Sequence, residues 1–154
     1  MKPAPTVEVP EDEWDKILTT TLKSVFIASK YAIPEMLKQG GGIIINTASA
    51  GGLVGVSNHS AYCAAKGGVI ALTRVLALEY IRQNIRVNCI VPGTVRTPML
   101  NLTPEMEEVW KKRQPIGRIA EPRELAQAAL FLASEESSFV VGIPLIVDGG
   151  YTAV

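Results

Sequence analysis

The sequence predicts an α/β fold, a doubly wound parallel sheet of about three strands with flanking helices. Three observations lead there. Short apolar runs rich in branched residues stand at 43–47, 85–91 and 143–147, each near glycine or proline. Segments with apolar residues at helical spacing separate them. The runs are apolar throughout rather than alternating, so both faces of the sheet are expected to be covered. Strands separated by helices pair in parallel through right-handed crossovers.

Residues 1–10 hold three prolines and read as a loose lead-in. A long helix is expected over 11–39. Glu11, Asp12 and Glu13 suit the positive end of its dipole, and an apolar stripe runs from Trp14 through Ile17, Leu18, Leu22, Val25 and Phe26 to Ile33, Met36 and Leu37. Pro34 is expected to kink or restart it, and Gly40-Gly41-Gly42 to stop it. The strand 43–47 follows, then a glycine-bearing loop over 48–60. A second long helix is predicted over 60–83 with Val69, Leu72, Leu76 and Tyr80 on one stripe. The strand 85–91 ends at the Pro92-Gly93 turn signal. Thr103-Pro104 opens a short helix, with Glu107/Lys111 and Glu108/Lys112 pairing along it. A helix over 121–134 should turn Leu125, Ala129, Leu130 and Leu132 inward. The strand 143–147 is stopped by Asp148-Gly149-Gly150.

At 154 residues, 47% hydrophobic and 19% charged, the chain can bury a core and has the size of one domain. Fifteen basic and fifteen acidic residues cancel, which argues against nucleic acid as a partner. The single histidine, His59, rules out a multi-histidine metal site, and no metal is expected. No uninterrupted apolar run is long enough to suggest a membrane span. Cys63 and Cys89 form no CxxC pattern and read as small buried hydrophobes in a reducing, cytoplasmic setting. Asn88 is expected to satisfy nearby backbone groups.

Chemistry enters with Tyr62 and Lys66. Their i, i+4 spacing sets both side chains on one helical face. A phenol titrates at about pH 10 and is a poor base near neutrality; a neighbouring ammonium favours its ionised form. Such a pair can exchange a proton with an alcohol or carbonyl oxygen. Alone the pair is weak evidence. Ser49, in the glycine-bearing loop at the end of a predicted strand, supplies context, because sites in doubly wound sheets gather at strand ends.

The segments IIINTASAGGLVG, AYCAAKGGVIALTRVLALEY, IRVNCIVPGTVRTPM, PIGRIAEPRELAQAALFLAS and VVGIPLIVDGG resemble the short-chain dehydrogenase/reductase family over nearly the whole chain. The resemblance implies a Rossmann-like fold and an oxidoreductase that uses NAD or NADP to interconvert a secondary alcohol and a ketone. It implies that Tyr62 exchanges the proton, Lys66 tunes Tyr62 and holds the nicotinamide ribose, and Ser49 orients the substrate oxygen. Pro92, Gly93, Val95 and Thr97 match the turn that meets the nicotinamide end. A substrate lid is expected around 99–113, with Met99, Leu100, Leu102, Met106, Val109 and Trp110 as its apolar side chains. A homodimer or homotetramer is expected on the same ground.

Two departures stand out. Family members carry an asparagine where this chain has Thr21, which would complete a catalytic tetrad. No glycine-rich phosphate loop occurs, and residues 1–39 contain no glycine. Residues 1–154 therefore read as one partial Rossmann-like domain, the catalytic and C-terminal part of such an enzyme. About 90–100 further residues are expected upstream, at about 30 for each strand–helix unit. Little dinucleotide affinity is expected of the chain alone. The alternative is a non-catalytic association module or pseudoenzyme, built on the helices 11–39 and 60–83.

Overall fold

The computed structural model describes residues 3–100 and 103–154, with Met99 described by its backbone only. Helices α1 (Glu11–Leu18) and α2 (Ser24–Lys38) run on either side of a π-helical turn, Thr19–Lys23. Strand β1 (Gly42–Thr47), helix α3 (Ser60–Tyr80) and strand β2 (Ile85–Pro92) follow. Helix α4 (Pro104–Arg113), helix α5 (Pro122–Ala133) and strand β3 (Pro144–Val147) complete the order.

The three strands pair in parallel in the order β1-β2-β3. Gly42 faces Ile85 and Thr47 faces Ile90 in one register; Cys89 faces Pro144 and Pro92 faces Val147 in the other. Successive residues of a strand point to opposite faces, and β2 uses this fully. Ile85 and Val87 pack with Ile33 of α2 and Leu76 and Ala77 of α3, while Cys89 and Val91 pack with Val69 and Ile70 of α3. The alternate residues look to α5 and its sequel. Arg86 donates to the carbonyls of Leu132, Ser134 and Ser137 and to the Ser137 hydroxyl. Asn88 donates to the Val140 carbonyl and accepts from the Ile143 N–H, so it serves backbone groups as expected, but distant ones before β3 rather than local ones. Helices therefore cover both faces, as a doubly wound sheet requires.

Several expectations are corrected. Only β2 is buried along almost its whole length; β1 and β3 are mostly half-buried. The central strand has neighbours on both edges, whereas β1 and β3 each have one among the described residues. Leu130 points outward at 69% exposure, because the inward stripe of α5 is Leu125 and Leu132. Phe26 and Leu37 are likewise exposed, so the α2 stripe is narrower than its spacing suggests. Cys63 is half-buried, although Cys89 is buried. Helix α2 continues through Pro34 without restarting. Pro34 lacks an N–H for the Lys30 carbonyl, which lies on an exposed turn where water can serve. The departure from α geometry falls at Thr19–Lys23 instead. On α4, Lys111 takes both Glu107 and Glu108, and the pairing of Glu108 with Lys112 is not made.

Helix α3 and its following turn, Ser60–Gln83, are long and apolar enough by composition to cross a membrane. Ala61, Ala65, Val69, Ile70, Leu76 and Ala77 of this segment are buried in the core, whereas Val75 and Leu78 are exposed.

Candidate active site

Parallel pairing brings the carboxyl ends of β1 and β2 to one edge of the sheet. Ser49 follows β1 in extended conformation and caps a short 3-10 turn, its Oγ accepting from the Gly51 N–H at 3.2 Å. That turn lies on α3 beside Tyr62 and Lys66. A side-chain carbon on Gly51 would stand 3.3 Å from Tyr62 Cε1. One on Gly52 would stand 2.7 Å from the Lys66 carbonyl carbon and 2.8 Å from its oxygen, so only glycine permits this approach.

Lys66 Nζ donates to the Thr47 carbonyl at 2.8 Å and lies 5.9 Å from the centroid of the Tyr62 ring. The ammonium is thus held at the end of β1, one helical turn from the phenol. Burial pulls the Lys66 ammonium below its ordinary value, because partial removal from water penalises the charge. Among the described residues Lys66 uses one of its three N–H donors. The remaining donors suit vicinal hydroxyls such as those of a ribose, so the residues present fit the nicotinamide end of a dinucleotide.

Thr21 lies on a segment that packs against the helix carrying Tyr62 and Lys66. It is half-buried in the π-helical turn, which packs on α3 where a carbon on Gly68 would meet Leu22 Cδ2 at 2.6 Å. Its carbonyl accepts from Ser24 Oγ at 3.4 Å, but among the described residues its hydroxyl bonds to neither Lys66 nor Tyr62. Ser49, Tyr62 and Lys66 are brought together; Thr21 is placed on the neighbouring segment without a link to them.

The turn after β2 is held from three sides. Pro92 is the last strand residue, and the Gly93 N–H donates to the Val147 carbonyl at 3.0 Å. Val95 bridges Ala120 in parallel, and the Arg96 N–H donates to the Ala120 carbonyl at 2.8 Å. Thr97 is exposed, its carbonyl accepting from the Leu100 N–H. Helix α4 is capped by Thr103, whose Oγ accepts from Met106. Met106 and Val109 of the expected lid are exposed. Leu102 and the side chain of Met99 lie outside the described residues.

Three groups near this edge were missed by sequence reasoning. Gln114 is 2% exposed; its Oε1 accepts from the Thr94 N–H and its Nε2 donates to the Arg118 carbonyl. Nothing in its neighbourhood marks it, because the Thr94 N–H it accepts from lies 20 residues earlier, in the turn after β2. Asp148 had a signal in the Asp-Gly-Gly turn. Burial would raise its carboxyl, but bonds from Thr152 and from the Gly150 N–H outweigh this and hold it below the ordinary value. Arg96 makes a bidentate pair with Glu107 of α4 and a single bond to Glu121 before α5. The Arg96 and Lys111 bonds hold Glu107 down at about 2.

Two surface hollows, about 310 and 520 Å³, lie around Gln114, Ile146 and Asp148 and around Arg96, Lys111 and Gln127. Ser49, Tyr62 and Lys66 line neither of them. Charged side chains, among them Asp148, Glu124, Arg96 and Lys111, line these hollows. His59 precedes α3 in the loop, its Nδ1 2.8 Å from the Ser57 carbonyl.

Comparison with known proteins bears on the family and the fold. A family model described as enoyl-(acyl carrier protein) reductase matches residues 1–152. The chain is 44% identical over 148 residues to a cyclohexanol dehydrogenase of Acinetobacter sp. strain SE19, covering 96% of this chain and 58% of that protein. It is 42% identical over 156 residues to an inactive 2-(S)-hydroxypropyl-CoM dehydrogenase 2 of Xanthobacter autotrophicus, covering 97% and 67%. A crystal structure from Burkholderia xenovorans, assigned as a short-chain dehydrogenase/reductase, superposes with a TM-score of 0.92 at 40% identity. That match covers 99% of this chain and 60% of the other. The chain thus spans only part of the length of the relatives it matches. Its sheet order, strand-end cluster and sequence together place the chain in the short-chain dehydrogenase/reductase family.

Proposed function

We propose that this chain supplies the proton-transfer site of an NAD(P)-dependent oxidoreductase that interconverts a secondary alcohol and a ketone. The observation that carries the reading is the Lys66 ammonium, bonded to the Thr47 carbonyl one helical turn from Tyr62 and beside the Ser49 loop. Tyr62 takes the proton of the alcohol hydroxyl in oxidation and returns it to the carbonyl oxygen in reduction. Lys66 stands beside the phenol and, through its remaining donors, holds ribose hydroxyls. Ser49 Oγ hydrogen-bonds the substrate oxygen and fixes its distance from Tyr62. Pro92, Gly93, Val95 and Thr97 form the wall against the nicotinamide end. The cofactor, when bound, supplies or accepts the hydride. Thr21 supports Lys66 less directly than an asparagine would, since its hydroxyl has a shorter reach.

Cyclohexanol is the natural first probe, since one relative is named for that substrate. Two free cysteines suit a cytoplasmic protein. The test is Tyr62→Phe in the full-length protein, with cyclohexanol oxidation followed using NAD and NADP in turn. Turnover should fall about 100-fold or more while the melting temperature holds. Retained turnover would remove Tyr62 from this role.

A second reading, association without catalysis, is favoured by exposed apolar side chains on two helices. Phe26 and Ile27 of α2 and Val75 and Leu78 of α3 are exposed apolar side chains. Such exposure suits a homodimer or homotetramer. One relative is itself named as inactive. Absence of turnover in a stable oligomer would favour this reading over the first.

A further inference from the structure

We infer that Gln114 is a positioning residue that sets the turn after β2 against the cofactor; the inference rests on the function proposed above. The hydrogen-bond ladder of β2 ends with the Gly93 N–H on the Val147 carbonyl. The next donor, the Thr94 N–H, has no strand to meet. It donates to Gln114 Oε1 at 3.2 Å. The other end of the same amide donates to the Arg118 carbonyl at 3.0 Å. One buried side chain therefore adds a second tie, on the Thr94 N–H and the Arg118 carbonyl, to two segments already joined by the Val95–Ala120 bridge.

Gly93 records how tightly this is built. A side-chain carbon there would stand 2.7 Å from Gln114 Oε1, 2.8 Å from Asp148 Cα and 2.9 Å from the Asp148 carbonyl oxygen. The turn is clamped between the amide on one side and the backbone after β3 on the other. Gln114 also ends α4, its N–H donating to the Lys111 carbonyl at 3.3 Å. The residue that closes the lid helix is thus the residue that holds the cofactor turn. An amide suits the place because it accepts at one end and donates at the other without burying a charge.

The experiment compares the full-length wild type with Gln114→Met, which keeps length but makes neither bond, and Gln114→Glu, which keeps the acceptor for Thr94. Amide hydrogen exchange over 93–97 is measured alongside KM for the cofactor and kcat. In Gln114→Met, exchange there should quicken and the cofactor KM should rise about tenfold, with kcat changed less than about threefold. In Gln114→Glu, exchange over 93–97 and the cofactor KM should return toward wild type. Quickened exchange with an unchanged KM would make Gln114 a packing residue only and overturn the inference. Unchanged exchange would show that the amide does not hold the turn. If the wild type turns over and Gln114→Met keeps its KM, this inference alone fails. If the wild type oxidises no secondary alcohol with either cofactor, the proposed function fails and takes the positioning role with it.

Discussion

Lys66 Nζ is bonded to the Thr47 carbonyl at 2.8 Å, so the helix that carries Tyr62 is fastened to the end of the strand that leads to Ser49. The bond spans two elements that meet nowhere in sequence. It also keeps a partly desolvated ammonium in one place.

Burial lowers Lys66 from an ordinary value of 10.5. A lysine lowered in the folded state penalises folding below its folded value. The penalty is relieved as pH rises from that value toward 10.5. Stability relative to a Lys66→Met variant should therefore increase on going alkaline through that window. Activity should show an alkaline limb below pH 10.5, and Lys66→Arg should shift or remove it because the guanidinium stays charged. Thermal melts and a kcat/KM profile read both effects; a profile unchanged by Lys66→Arg would separate the limb from Lys66.

Gly52→Ala should force the Ser49 loop off α3, since the added carbon meets the backbone atoms Lys66 C and O and Gly67 N. Overpacking of this kind costs about 1–3 kcal/mol. Urea unfolding should show that loss, and turnover should fall with it because Ser49 moves from Tyr62. Gly55→Ala is the control, as open space surrounds that position.

Asn88→Ala should destabilise the fold without touching the site. It removes the partners of the Val140 carbonyl and the Ile143 N–H, and burying an unpaired group costs about 1–3 kcal/mol. Denaturant titration should report the loss while the KM values of the remaining folded protein stay put.

Glu107 and Glu124 are held down at about 2 by bonds from Arg96 and Lys111 and from Arg118 and the Glu121 N–H. A depressed carboxyl contributes stability above its ordinary value of 4.5 and loses that contribution as pH falls toward 2. The melting-temperature difference between wild type and Glu107→Gln or Glu124→Gln should shrink from pH 6 to pH 3. A difference that persists at low pH would assign it to packing rather than to charge.

Leu78, 79% exposed, shares a face of α3 with Val75, 49% exposed and three residues before it. Leu78→Lys should shift sedimentation equilibrium toward smaller species if that face joins copies of the chain. An unchanged molecular mass would put the assembly interface elsewhere.

Much of the fold was legible because it depends on local pattern. Branched apolar runs marked β1, β2 and β3 to within a residue or two, and Thr103-Pro104 marked the start of α4. The Tyr62–Lys66 relation was legible for the same reason, since four residues make one helical turn. What was not legible involves polar side chains inside apolar segments. Arg86 and Asn88 sit in a run that reads as uniformly buried, yet their partners lie beyond residue 130. Gln114 gave no sign because nothing local distinguishes a solvated glutamine from one that bonds to another element. The inward side of α5 failed at Leu130, because periodicity defines a stripe but not which edge of it meets the sheet.

The sequence by itself determined the order of strands and helices and the turn that sets Lys66 beside Tyr62, because backbone propensity and helical pitch act over a few residues. Only the tertiary structure decided that Ser49 stands against that turn, that β2 is the central strand and that Gln114 holds Thr94. Those relations depend on strand register and on close packing between distant segments, and both are settled only when the whole sheet and its helices come together.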